Sequence, residues 1–327
     1  MPRALITGIS GQDGSYLAEF LLSRGYEVHG TVRPTLIETP ALRPKYLIGL
    51  QNRVTIHSAR LEDPEKLADL LAALDCDECY HLAGPSTVDS NMQGDPEIFK
   101  VILNSTKAFL EVMERTDARC RLFFAGTSEM FGRVSQSPQN ERTAFEPRSV
   151  YGLARLSAYH AIRQFRKRTG GFACTGILYN HESPRRPPTF LPRKVSLAAA
   201  RIKIGKQRRL ALGDLEAVRD WGYAPDFVEA MWLMLRQSTP QDFVIATGRT
   251  HRVADLVDLA FRAVDLDYRK HVDVDPRFVR PAEATLLCGD SSLLATTTGW
   301  HSKKSFDQII VEMVKHDLAE QSAAALQ

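Results

Sequence analysis

Two short stretches carry side chains that move protons. One is Gly126-Thr127-Ser128-Glu129, at the end of an apolar run; the other is Ser149-Val150-Tyr151-Gly152-Leu153-Ala154-Arg155. Tyr151 and Arg155 stand four apart, so on a helix they share one face. A cation beside a phenol favours the phenolate, and a phenolate can remove a hydroxyl proton. Each residue also has a plainer reading: Tyr151 as a core tyrosine, Arg155 as a solvated helix residue, Glu129 as a cap.

A third stretch tips the balance towards a site. Thr7-Gly8-Ile9-Ser10-Gly11-Gln12-Asp13-Gly14 follows the apolar run Ala4-Leu5-Ile6 and precedes a helical pattern. Glycines at a strand-to-helix turn let the backbone approach a pyrophosphate, and the first N–H groups of the helix face its charge. A nicotinamide dinucleotide there would take the hydride from the carbon whose hydroxyl Tyr151 deprotonates. The second strand ends in Gly30-Thr31-Val32-Arg33-Pro34 without an acid. An acid there would bind a ribose 2′-hydroxyl, whereas Arg33 suits a 2′-phosphate, so the expected cofactor is NADP in preference to NAD.

These groups need a scaffold. Strand signals at 4–7, 27–32, 54–57, 79–82, 122–125 and 174–178 alternate with helical patterns at 15–22, from 63, at 96–114 and at 151–168. That alternation predicts an α/β fold, a Rossmann-type doubly wound parallel sheet. After residue 180 the pattern loosens around Pro184, Pro187, Pro188 and Pro192. Shorter elements follow at 194–204, 209–212, 227–236, 243–247, 253–264 and 306–318, read as a smaller α/β substrate-binding lobe. The expected division is 1–180, with a return segment at about 218–250, for the dinucleotide. Residues 181–217 and 251–327 are left for the substrate.

Composition narrows the class. The 327 residues are 44% hydrophobic and 25% charged, with net charge +3. That charge is too small to indicate nucleic acid. Five cysteines, with a lone Cys76-x-x-Cys79 pair, give neither a disulfide framework nor a zinc site, so no metal is expected. No secretory leader and no apolar run of membrane-spanning length is visible, and the expectation is a cytoplasmic protein without a membrane partner. The basic runs 163–168 and 201–209 are read as solvated faces or oligomer contacts.

The chain resembles the extended short-chain dehydrogenases/reductases, and within them the GDP-mannose 4,6-dehydratase family. The resemblance rests on residues 5–19, on Val28-His29-Gly30 and on Thr127-Ser128-Glu129-Met130-Phe131-Gly132. It continues in Asn180-His181-Glu182-Ser183-Pro184-Arg185-Arg186, Arg219-Asp220-Trp221-Gly222, residues 229–234 and residues 275–283. It implies that Tyr151 deprotonates the C4 hydroxyl of a GDP-sugar as hydride passes to NADP⁺. Glu129 then removes the C5 proton and helps expel the C6 hydroxyl as water, hydride returns to C6, and Thr127 hydrogen-bonds the C4 oxygen. It assigns the cofactor to Thr7, Gly8, Gly11, Gln12, Asp13, Gly14, Arg33, Arg60, Leu61, Leu82, Ala83, Tyr151 and Arg155. It assigns the substrate to Ser86, Ser128, Asn180, Glu182, Arg186, Lys194, Asp214, Arg219, Arg280 and Glu283. It also implies a homodimer or homotetramer.

Several positions depart from the family pattern. Arg155 stands where lysine is usual, Arg60 where aspartate is usual, and Pro34 where a second basic residue is common. Gly84-Pro85-Ser86 replaces Ala-Gln-Ser, and Asp214 replaces asparagine. Arginine is not a conservative exchange for lysine. Two alternatives therefore stand beside the dehydratase: a nucleotide-sugar epimerase or reductase, and a nucleotide-sugar-binding relative that has lost turnover. Glu129 argues against the first, and Arg155 with Arg60 motivates the second.

Overall fold

The computed structural model describes residues 1–39, 46, 49–50, 52–84, 96–116, 119–133, 136–278 and 286–323. Seven strands form one parallel sheet: β1 (Arg3–Thr7), β2 (Glu27–Val32), β3 (Thr55–Ser58), β4 (Glu78–His81), β5 (Arg121–Thr127), β6 (Ala173–Leu178) and β10 (Phe243–Ile245). Their spatial order is β10-β6-β5-β4-β1-β2-β3. The inner strands are near-continuous apolar runs because helices cover both faces. Leu5, Ile6, Leu122, Phe123 and Phe124 are all fully buried.

Helices α1 (Gln12–Ser23) and α7 (Ala224–Leu235) close one face, where Leu17, Leu21, Phe227 and Met231 join a single apolar core. Helices α3 (Pro64–Leu74), α4 (Pro96–Arg115) and α5 (Val150–Thr169) close the other, with Leu67, Phe109 and Ile162 in its core. This is the Rossmann-like doubly wound sheet the alternation predicts. The chain reverses its winding direction between β1 and β4, which are hydrogen-bonded neighbours with Thr7 opposite His81. In open α/β sheets ligands bind beyond the strand ends at such a switch point.

A smaller group of elements has its own core. Strands β7 (Asn180–Glu182), β9 (Val218–Tyr223) and β11 (Thr250–Arg252) form one sheet, and β8 (Leu210–Leu212) pairs with β12 (Val272–Val274). Helices α6 (Leu191–Lys203), α8 (Val253–Arg262) and α10 (Phe306–Ala323) bury Val195, Phe261 and Met313 against them. The sequence pattern missed the three-residue strands β7, β11 and β12, and also the six-residue β9, whose Arg219 and Asp220 interrupt its apolar residues. Two short helices, α2 (Pro34–Glu38) and α9 (Ser292–Thr298), were missed likewise.

One basic run is corrected. Arg166 does not lie on a solvated face: it forks onto Asp242 at 2.7 and 2.6 Å and ties α5 to the edge strand β10. The side chains of Arg166 and Asp242 are 16% and 9% exposed, so this pair is far more screened from water than a surface bridge. Cys76, Cys79, Cys120 and Cys174 are free, buried thiols. Among the described residues, no helix is long and apolar enough to cross a membrane.

Candidate active site

The glycine turn is built as a cradle. Gly8 has φ +73, and Gly11 donates its N–H to the Gly8 carbonyl at 2.9 Å. A Cβ on Gly14 would lie 2.3 Å from the Gly8 oxygen, and one on Gly8 would lie 3.0 Å from Cα of Ala83. Neither turn has room for a side chain. Gly11, the N-cap of α1, offers no side-chain acceptor, so the first N–H groups of the helix are left for an external anion. These features fit a dinucleotide pyrophosphate. Across the crevice, Leu82, Ala83 and Gly84 follow β4 and are half-buried.

Gln12 and Asp13 turn towards β7. Gln12 Nε2 donates to the His181 carbonyl at 3.0 Å, and Ser183 Oγ donates to Gln12 Oε1 at 2.8 Å. His181 Nε2 lies 2.9 Å from Asp13 Oδ2. Burial works against the Asp13 charge, but His181, then the Gln12 amide and Arg186, outweigh it and hold its pKa below the usual range. Arg185 continues the stitch onto α1, donating to Ser15 Oγ at 3.1 Å and Glu19 Oε1 at 2.6 Å. His181, Ser183 and Arg185 were not singled out from sequence. No local signal marked them, because β7 is too short to show a period and the contacts reach α1, far away in the chain.

The proton-moving residues meet beyond β5. Thr127 ends that strand, and its hydroxyl accepts the Glu129 N–H at 3.3 Å across a single 3-10 turn, Ser128–Met130. Ser128 is buried, while Thr127 and Glu129 are half-buried. Ser149 caps α5 by accepting the Gly152 N–H at 3.0 Å, which sets Tyr151 in the first turn. A Cβ on Gly152 would lie 2.6 Å from the Glu129 carbonyl oxygen. The absence of a side chain at 152 thus lets the first turn of α5 press against Glu129.

Tyr151 and Arg155 share a face: the guanidinium carbon lies 5.4 Å from the Tyr151 ring centroid. Arg155 is only 3% exposed. Its Nη1 donates to the Ala125 carbonyl at 2.8 Å, while its buried Nε has no partner among the described residues. A Cβ on Gly84 would stand 2.6 Å from Arg155 Nη2, so the bulk of the arginine fork occupies the space of a side chain at 84.

The other candidates form three groups. Arg33 and Arg60 are exposed just past the ends of the paired strands β2 and β3, and Leu61 follows, half-buried. Glu182 is buried and pairs with Arg186 at 3.2 Å; burial raises the Glu182 pKa against the pull of Arg186. Asn180, at the start of β7, lies opposite Trp221 of β9. Lys194 on α6 donates to the Ala211 carbonyl at 2.8 Å and lies 4.6 Å from the centre of the Phe278 ring. Burial lowers its pKa, with Asp275 opposing. Asp214 is exposed after β8, and Arg219 lies on β9, where its Nη1 donates to the Val218 carbonyl at 2.7 Å. Ser86, Arg280 and Glu283 lie outside the described residues.

Comparison with known proteins follows this geometry. The family model described as GDP-mannose 4,6 dehydratase matches residues 5–313. GDP-mannose 4,6 dehydratase 1 of Arabidopsis thaliana is 41% identical over 323 residues, covering 96% of this chain and 89% of its own. Among solved structures, dTDP-glucose 4,6-dehydratase from Streptomyces venezuelae with NAD bound has a TM-score of 0.84 at 20% identity, covering 98% of each chain. The RMD protein of Pseudomonas aeruginosa complexed with NADPH has a TM-score of 0.82 at 21% identity, covering 98% of this chain and 100% of that one.

Proposed function

The chain belongs to the GDP-mannose 4,6-dehydratase family, and from that membership we propose that it is a nicotinamide-dependent enzyme converting GDP-mannose, or a related GDP-hexose or GDP-heptose, into the 4-keto-6-deoxy sugar nucleotide. The observation that carries the reading is the junction of the β5 end with the first turn of α5, where Gly152 packs on the Glu129 backbone beside Tyr151. A carboxylate and a phenol beyond the end of one strand suit a reaction that takes one proton from the C4 hydroxyl and one from C5.

The roles divide as follows. Thr127 hydrogen-bonds the C4 oxygen, and Tyr151 takes the C4 hydroxyl proton. Glu129 takes the C5 proton, acidified by the new C4 ketone, and passes a proton to the departing C6 hydroxyl, which leaves as water. The proton first taken by Tyr151 balances the one that restores C5. When bound, the dinucleotide supplies oxidation at C4 and the matching reduction at C6, so none is consumed. Arg155 lies beside Tyr151 and favours its phenolate. Its unpartnered Nε is a donor for the dinucleotide's ribose.

NADP is the proposed cofactor, on the strength of Arg33 beyond β2, with Arg60 beyond β3, and the lack of an acid at the end of β2. Residues 1–180 with the return segment at about 218–250 are the proposed dinucleotide part, less β9 (Val218–Tyr223), which pairs within the smaller sheet. The remainder binds the GDP-sugar through Glu182, Arg186, Lys194, Asp214, Arg219, Arg280 and Glu283, joined by Ser86, Ser128 and Asn180 from the dinucleotide part. The proposed assembly is a homodimer or homotetramer. Incubation with GDP-mannose, followed by mass spectrometry, should find a sugar nucleotide lighter by one water without added cofactor. An unchanged mass with an altered sugar would point to an epimerase. Binding without any product would refute turnover.

A further inference from the structure

One buried chain of hydrogen bonds runs beneath the dinucleotide crevice. Thr7, His81 and Ser105 are 0%, 1% and 0% exposed. Ser105 Oγ donates to the Ile102 carbonyl at 3.2 Å, and His81 Nε2 lies 3.2 Å from Ser105 Oγ. His81 Nδ1 lies 2.9 Å from Thr7 Oγ1, which accepts the Ala83 N–H at 3.1 Å. For a neutral imidazole, only one placement of protons makes all four bonds together. Ser105 spends its proton on Ile102, so His81 must donate from Nε2. Its Nδ1 then accepts from Thr7, and the Thr7 oxygen stays open to Ala83. The His81 ring is fixed edge-on to Phe109, with centroids 5.0 Å apart.

We propose that His81 is a positioning residue for the dinucleotide site, holding the Thr7 hydroxyl so that it clasps the turn after β4 to the glycine turn after β1. The inference rests on the dinucleotide reading above. Its physical basis is the switch point of the sheet. Thr7 is the last residue of β1 and His81 the last of β4, so the clasp joins the two strand ends that flank the crevice. The two turns touch, with the Cβ position of Gly8 3.0 Å from Ala83 Cα. Slack of a few tenths of an ångström here changes the width of the cradle directly. Burial, and then the Arg155 guanidinium, push the His81 pKa down to about 3, so the ring is neutral at neutral pH and this placement of protons applies.

The test uses the full chain stripped of bound dinucleotide. NADPH affinity is read by fluorescence titration, and GDP affinity on the same samples reports folding. Thr7→Val and His81→Leu should each weaken NADPH about tenfold. The double variant should be weakened about as much as either single one, because the two residues act through one bond. His81→Asn places an amide oxygen near the position of Nδ1 and should bind within about threefold of the parent. Thr7→Ser, which keeps the hydroxyl, should do the same, and against Thr7→Val it decides the matter if His81→Leu does not fold. Parent-like NADPH binding by Thr7→Val, or losses that add in the double variant, overturn the clasp. A parent protein that binds GDP but neither NADPH nor NADH overturns the dinucleotide reading instead.

Discussion

The depressed pKa of His81 makes the fold acid-sensitive at one identifiable point. The ring lies buried between Phe109 and Phe124, and burial, followed by the nearby Arg155 charge, lowers its pKa from 6.5 to about 3. An unfolded chain exposes the ring and binds a proton at its ordinary pKa. The native chain does not, so the unfolded state gains as pH falls below 6.5 and keeps gaining until about 3. Each pH unit in that window is worth about 1.4 kcal/mol, so lowering the pH to about 5 costs about 2 kcal/mol through this one side chain. That is a sizeable share of a typical unfolding free energy of about 5–15 kcal/mol. His57 is lowered by burial and His29, whereas His181 is raised because Asp13 outweighs burial, so the whole-protein pH profile mixes several groups. His81→Asn removes one titrating ring and leaves the others. Urea denaturation of parent and variant at about pH 7.5 and about pH 5 should show the parent losing about 2 kcal/mol more than the variant. Parallel losses would mean that His81 titrates as an exposed histidine does, and the reasoning from its burial would fail.

Other substitutions test the site and its frame. Gly14→Ala sets a methyl against the Gly8 carbonyl, which a helix start cannot yield to cheaply, and NADPH should dissociate about 10- to 100-fold more readily by fluorescence titration. Tyr151→Phe should lower kcat by about 10²- to 10⁴-fold with GDP affinity intact. Glu129→Gln should still oxidise C4 yet lose dehydration, and with one NADP⁺ reduced per sugar oxidised, mass spectrometry should find a sugar nucleotide lighter by two hydrogens in an amount no greater than the NADP⁺ supplied. Arg166→Leu strands Asp242 without its fork and should cost about 3–5 kcal/mol in denaturant unfolding.

Much was legible in the residues themselves. The glycine turn follows an apolar strand and opens a helix, so local sterics and helix-end charge already pointed to a dinucleotide. The i, i+4 spacing of Tyr151 and Arg155 set them on one face, because helical geometry needs no tertiary information. The sheet followed from strands and helices alternating at regular length. Chemistry after residue 180 was legible only through the family pattern, since β7 is too short to show a period and the charges of β9 hide its strand.

The sequence by itself determined the sheet, the cradle and the residue types that move protons, because each rests on neighbours within a turn or a strand. Contacts between segments far apart in the chain belong to the tertiary structure alone. It turned Gln12 and Asp13 onto His181 and Ser183, drew Arg166 inward to Asp242, and folded Arg155 against Ala125 and Gly84. It also made His81, an unremarked histidine after a tyrosine, the buried link between the two turns that flank the cofactor crevice. Such pairings depend on which strand lies beside which, and no local pattern of residue types encodes that order.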